Sequence, residues 1–111
     1  MSQRIKRVNQ LIKQQISQLI LREIDFGNIL VTVTNVETST DLRQAKIKIS
    51  VMPVKKDELV LRILERNIFH LQQILNKKLH MRIVPKIRFA IDQAEIKAQR
   101  IEEILGKIKK S

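Results

Sequence analysis

The hydrophobic residues of this chain change their spacing along its length, and that change of period restricts the fold more than any other feature. From about Arg4 to Ile24, residues Ile5, Val8, Ile12, Ile16, Leu19 and Ile20 recur at three- and four-residue steps. Such steps gather them on one face of an α-helix. Arg4, Lys6, Arg7, Lys13 and Arg22 lie off that stripe, on a solvated face. Asp25-Phe26-Gly27-Asn28 ends the helix, because Gly27 can take a positive φ and Asn28 tolerates a turn. The period then falls to two. Val31 and Val33 alternate in a β-branched run from Ile29 to Glu37. Ala45, Ile47, Ile49 and Val51 alternate between Leu42 and Met52, with Lys46, Lys48 and Ser50 opposite them. The short polar break Thr38-Ser39-Thr40-Asp41 predicts an antiparallel pair with one packed face and one wet face.

Pro53 stops the second strand, Val54 to Lys56 connects, and Asp57 is the expected N-cap of a helix running to about His80. Its stripe is Val60, Leu64, Ile68, Leu71, Ile74, Leu75 and Leu79, with Ile63 alongside. Asn67 and Lys78 also project onto the apolar side. A polar amide there costs stability unless it finds partners. Either the helix bends near Asn67, with its side chain bonding the backbone groups that the bend frees, or Asn67 sits at a wet edge. Lys78 marks the fading of the pattern near the helix end. A third strand is expected from Arg82 to Ile91, where Ile87, Phe89 and Ile91 alternate and Pro85 lies near the start. Asp92 then caps a final helix with Glu95 in capping-box position. Ile101, Ile104, Leu105 and Ile108 give that helix a thin stripe, and Gly106 can end it before the basic tail of Lys107, Lys109 and Lys110. The order is α-β-β-α-β-α. Three strands cannot close on themselves, so they bury one face against the first two long helices. The result is a two-layer α+β domain. A chain of 111 residues forms one such domain, spanning residues 1–111, with its tail at about 106–111.

Charge is distributed unevenly over this frame. Twenty-two Lys and Arg stand against eleven Asp and Glu, a formal net charge of +11. The stretch from Leu75 to Phe89 holds Lys77, Lys78, Arg82, Lys86 and Arg88 and no acid. It is also where helical period gives way to strand period. Cations crowded at such a junction point to a polyanion. Arg62 and Arg66 extend the basic surface along the helix. Residues two or four apart on a strand share a face, so Arg82, Lys86 and Arg88 are expected to act together, opposite Ile87 and Phe89. The chain has three Phe and no Tyr or Trp. The aromatics that stack bases on open recognition sheets are thus missing, and Phe89 is expected in the core. This favours reading RNA through shape and backbone.

Other chemistries are poorly supported. With no Cys there are no disulfides and no thiol zinc sites. His70 and His80 lack partners at metal-ligand spacing, so each is expected on a helix surface and no metal or cofactor is expected. The only glycines, Gly27 and Gly106, cannot form a phosphate-cradling loop. Glu102 and Glu103 are adjacent and point in different directions on a helix. No enzyme and no small-molecule substrate are expected. No apolar run is long enough to cross a bilayer, and MSQRIKRVNQ is not followed by a signal-like apolar core. A cytoplasmic monomer is the expectation. Two other readings share the charge. One is a basic, DNA-compacting architectural protein. The other is a membrane-surface protein using the basic amphipathic first helix, which the lack of Trp and the strand-rich middle weigh against.

Three stretches resemble a known family. Val36-Glu37-Thr38-Ser39-Thr40-Asp41-Leu42-Arg43-Gln44-Ala45 is similar to a V-E-x-S-x-D-L-x-x-A run. Met81-Arg82-Ile83-Val84-Pro85-Lys86-Ile87-Arg88-Phe89 is similar to an L-R-x-V-P-x-L-x-F run, and Phe89 to Asp92 fits F-x-x-D. In this order and at these separations they resemble the bacterial ribosome-binding factor A family over nearly the whole chain. The resemblance implies a K-homology domain of the second type, α-β-β-α-kink-α-β. It implies binding to free small (30S) ribosomal subunits and their rRNA, not to 70S ribosomes or polysomes. It further implies support for late 30S maturation and 16S rRNA processing, contacts near the 5′-terminal helix and the decoding region, and a part in growth in the cold. Ordinary K-homology domains carry a G-x-x-G loop. This family has an Ala-x-Gly kink between two helices instead, and the corresponding positions here are Asn67, Ile68 and Phe69.

Overall fold

In the computed structural model, which describes residues 3–94, the amphipathic repeat at the start of the chain forms helix α1, Gln3–Glu23. Ile5, Val8, Ile12, Ile16, Leu19 and Ile20 are its buried face. Gly27 follows at φ 65°, with its N–H on Asp25 Oδ1 at 2.8 Å, so the turn uses the one residue type with no Cβ penalty there. Strands β1, Leu30–Thr38, and β2, Gln44–Met52, form an antiparallel pair. A single 3-10 turn, Val54–Lys56, leads into α2, Asp57–Lys78. That helix returns the chain so that β3, Lys86–Ile91, enters parallel to β2. The sheet order is β1-β2-β3.

Both helices cover one face of this mixed sheet. Val31, Val33, Val36, Ala45, Ile47, Ile49, Val51 and Ile87 point into the core, where they meet the α1 stripe and Val60, Leu64, Leu71 and Leu75 of α2. Among the described residues no polar or charged residue is fully buried. The core is aliphatic, and each buried Val, Leu or Ile contributes about 1.5–3 kcal/mol. The register between β1 and β2 shifts between Val33 and Asn35. Thr34, at this bulge, donates from Oγ1 to the Lys48 carbonyl at 3.2 Å and to Asp92 Oδ2 at 2.6 Å. At the other end of β1, Asn9 Oδ1 accepts from both the backbone N–H and the hydroxyl of Thr38, which fixes α1 against the sheet.

The α+β class, the two layers and the strand pairing agree with the sequence. Four local expectations need correction. First, β3 begins at Lys86 rather than Arg82. Its partner β2 begins at Gln44, paired with Lys86, so residues 82–85 have no ladder to join, and Pro85 lacks an N–H. Second, β2 begins at Gln44 rather than Leu42, because Leu42 has φ 61° and cannot lie in a strand. Third, Asp57 is the first residue of α2, not its cap. The preceding 3-10 turn already delivers helical backbone, with Lys56 N bonded to the Pro53 carbonyl at 3.0 Å. Asp57 Oδ1 instead accepts from Glu58 N at 2.6 Å, and its charge favours the positive end of the helix.

Fourth, helical structure is continuous through Asn67, Ile68 and Phe69, so one helix, α2, stands where two were expected. None of the three is Gly or Pro. The half-buried Asn67 amide donates to the Ile63 carbonyl at 2.8 Å, one turn back, so its need for a partner is met inside the helix. Beyond β3, Asp92 Oδ1 takes the N–H of Ala94 at 3.0 Å, as a capping residue does. The rest of the expected final helix, from Glu95 through Gly106 to the basic tail, lies outside the described residues.

Candidate nucleic-acid interface

The junction between α2 and β3 is an irregular loop with fixed ends. Leu79 is buried, and its N–H bonds the Leu75 carbonyl at 2.9 Å, which closes the helix. Pro85 is buried at the other end. Lys86 directs its N–H to Arg43, just before β2, and Asp92 to Ile49 of β2, so alternation turns the Ile87 N–H to the free edge of β3. There Gln72 of α2 takes it on Oε1 at 2.9 Å, while Gln72 Nε2 donates to the Pro85 carbonyl at 3.1 Å. One amide therefore supplies the edge with the ladder partner it lacks and holds the loop. Between these anchors Arg82 and Ile83 project into solvent.

The turn between β1 and β2 lies beside this loop. Asp41 Oδ1 accepts from Ser39 Oγ at 2.6 Å and from Arg43 N at 3.1 Å, and Leu42 N donates to the Ser39 carbonyl at 2.9 Å. The Ser39 hydroxyl foremost, then the Arg43 N–H, hold the Asp41 carboxyl below its ordinary value. These bonds hold Leu42 in the left-handed region, which residues with a Cβ rarely adopt. Leu42 then packs on the core and Arg43 is exposed. Lys86 N bonds the Arg43 carbonyl at 2.8 Å, so the turn and the start of β3 are joined directly.

A cleft of about 620 Å³ opens between three segments. Arg4, Val8 and Leu11 of α1 form one side, Asp41, Leu42 and Arg43 of the turn a second, and His80 to Ile83 a third. Three guanidinium-bearing side chains, Arg4, Arg43 and Arg82, thus come from three separate parts of the chain to line one concavity.

The solvent face of the sheet continues from it. In the paired register Glu37, Lys46 and Arg88 form a row across the three strands, with Gln44 and Lys86 in the next row. Glu37 does not neutralise Lys46. Its carboxylate bonds Lys48 Nζ at 2.8 Å and holds that ammonium above the usual lysine value. Lys46 and Arg88 are therefore like charges on directly paired positions, an arrangement that costs stability in the free protein. Together with Glu37, Thr38, Ser39 and Gln44 they line a shallow depression of about 330 Å³.

The seven basic residues singled out from sequence fall in separate places. Arg82 lines the cleft, and Lys86 and Arg88 lie on the open sheet face. Arg82 is not on the strand, so it does not share the face of Lys86 and Arg88 by strand alternation. Lys77 and Lys78 are exposed in the last turn of α2. Arg62 and Arg66 are exposed on the side of α2 away from the sheet, in the other layer. Among the described residues none of the seven is held in an ion pair. Sequence reasoning missed Arg4, Arg43 and Lys46. In sequence Arg4 belongs to a solvated face, and only tertiary packing brings it to the cleft; Arg43 stands inside the Asp41-Leu42-Arg43 motif, a signal that was present. Phe69 is 73% exposed on the outer side of α2, the same side as Arg62 and Arg66. Phe89 is half-buried against the core, as expected. His70 bonds Glu23 across the two helices at 3.2 Å. Among the described residues there is no cluster of His, Cys, Asp or Glu able to hold a metal, and no helix long and apolar enough to cross a membrane.

Comparisons with known proteins cover nearly the whole chain. The family model described as ribosome-binding factor A matches residues 4–105. Ribosome-binding factor A of Thermodesulfovibrio yellowstonii is 34% identical over 109 residues, covering 97% of this chain and 92% of the relative. The crystal structure of ribosome-binding factor A from Thermus thermophilus superposes with a TM-score of 0.71 at 22% identity, over 78% of this chain and 93% of that one. A Thermus thermophilus ribosome-binding factor A fitted into a cryo-EM map of its complex with the 30S subunit gives 0.63 at 26% identity, over 75% and 89%. A match that spans nearly all of the sequence, on a fold shared with those structures, makes this chain a member of the ribosome-binding factor A family.

Proposed function

We propose that this protein binds the free small ribosomal subunit by docking on its rRNA, and that it does so without a reaction of its own. Family membership and the Thermus relative's complex with the 30S subunit support the partner. The observation that carries the reading is the run of cations from the Arg4–Arg43–Arg82 cleft onto the open sheet face, with Arg43 and Lys86 adjoining at its centre. Lys77, Lys78, Arg82, Lys86 and Arg88 donate to phosphate oxygens at this end of the molecule. Arg62 and Arg66, in the other layer, reach a second RNA segment. The protein acts in the cytoplasm as a monomer. It favours free 30S subunits over 70S ribosomes and polysomes, and it assists late maturation and 16S rRNA processing near the 5′-terminal helix, with its loss felt most in the cold.

Gradient sedimentation of a cell extract tests this. The protein should travel with free small subunits and be absent from 70S and polysome fractions. Comigration with chromosomal DNA and none with subunits would replace this reading with the architectural DNA-binding one.

A further inference from the structure

We infer that the cleft between α1, the β1–β2 turn and the loop after α2 receives one unpaired nucleotide of rRNA. Its base lies against Leu11, Leu42 and Ile83, and its phosphates on Arg4, Arg43 and Arg82. This inference rests on the proposed binding to the small subunit. Contact with phosphates alone needs no apolar surface, yet Leu11 and Ile83, 45% and 67% exposed, line the same concavity as the three arginines. An apolar floor with a cationic rim matches a base with its phosphate. The volume, about 620 Å³, is that of a small-ligand pocket. A duplex would cross such a cleft without entering it. Leu42 supplies a separate sign. Its left-handed backbone is held by the Asp41 and Ser39 bonds, and backbone strain of this kind collects at ligand sites. Among the described residues Asp41 is the only acid lining the cleft, and its carboxylate is already engaged by the Ser39 hydroxyl and the Arg43 N–H. The rim leads through Arg43 to Lys86, so neighbouring phosphates of the same strand meet further cations. Arginine planes and aliphatic side chains take the place of stacking aromatics.

The test uses the full chain and purified free small subunits. Photoreactive p-benzoylphenylalanine is placed at position 83 in one variant and at position 11 in another. Co-sedimentation reports binding, and the cross-link, mapped by primer extension, reports the occupant. Both positions should join the same unpaired nucleotide. Cross-links to a ribosomal protein, to base-paired rRNA, or none from bound protein would overturn the inference and leave subunit binding intact. The double variant Leu11→Ser, Ile83→Ser keeps every charge. It should bind about tenfold more weakly with an unchanged salt slope. It decides alone if either bulky probe blocks docking, and wild-type affinity in it would overturn the inference. If the wild-type chain itself fails to sediment with free subunits, the proposed function falls too.

Discussion

Lys86 donates its backbone N–H to the carbonyl of Arg43 at 2.8 Å, and through that bond the β1–β2 turn and the first residue of β3 hold one another in place. The cleft and the open sheet face meet there. Proline at the first residue of an edge strand is ordinarily tolerated, but here it would remove a used donor. Lys86→Pro should lower unfolding stability by about 1–3 kcal/mol, whereas Lys86→Gln keeps the bond and should leave stability nearly unchanged while weakening RNA binding. Denaturant melts of the two variants check this; equal midpoints would show that the bond carries no weight.

Gln72 satisfies two backbone groups of the loop and the strand edge, Pro85 O and Ile87 N. Gln72→Leu leaves both without a partner at a part-buried site. The expected cost is about 1–3 kcal/mol, with faster amide exchange at Ile87. An Ile87 amide as protected as in the wild type would contradict the edge role.

Lys46 and Arg88 occupy paired positions, and the acid of their row, Glu37, is bonded to Lys48 instead. Arg88→Gln should therefore stabilise the free protein by about 0.2–1 kcal/mol at low ionic strength and weaken RNA binding at the same time. The gain should fade in high salt, where the repulsion is screened. Thermal melts at two salt concentrations, beside a binding titration, measure both effects. A loss of stability on this substitution would mean that Arg88 packs rather than repels.

Asp41 predicts a response to acid. Its folded-state pKa is depressed below the ordinary value of 3.8, chiefly by the Ser39 hydroxyl. A depressed carboxyl adds stability above its unfolded pKa and loses it as pH falls through the folded one. The turn should thus loosen only below pH 3.8, and Ser39→Ala should move the Asp41 titration upward. Carboxyl carbon NMR shifts follow it directly; an unmoved titration would remove Ser39 as the cause.

The two helices, the hairpin and the third strand were legible because each buries one periodic stripe, and period survives in sequence. What was not legible depended on neighbours. Residues 82–85 alternate well enough to pass for strand, but β2 starts at Gln44 and offers them no partner. Asn67 signalled a conflict in the apolar stripe, and the chain resolves it with a bond to the Ile63 carbonyl one turn back, within a continuous helix. The cation-rich junction was visible as composition. Its division between a cleft, a sheet face and the far side of α2 was not, because Arg4 and Arg43 reach Arg82 only through the folded arrangement of α1 and the turn. Arg62 and Arg66 looked continuous with it along the helix, yet they face away from the sheet.

That division gives a further expectation. Arg62→Gln with Arg66→Gln should weaken binding to whole subunits while leaving the affinity for a short RNA oligomer unchanged, since one short strand at the cleft does not reach the other layer. Filter binding with both ligands separates the cases, and equal losses on both would merge the two surfaces into one.

The central claim is that exposed cations at the α2–β3 junction hold rRNA phosphates. The most direct measurement is the affinity of purified protein for free small subunits across a salt series, wild type against Arg82→Gln, Lys86→Gln, Arg88→Gln combined. Each cation on a phosphate adds roughly 0.7 to 0.9 to the steepness of the log–log slope, so the triple variant should be shallower than the wild type by roughly 2 to 3. A triple variant with wild-type affinity and slope would contradict the claim.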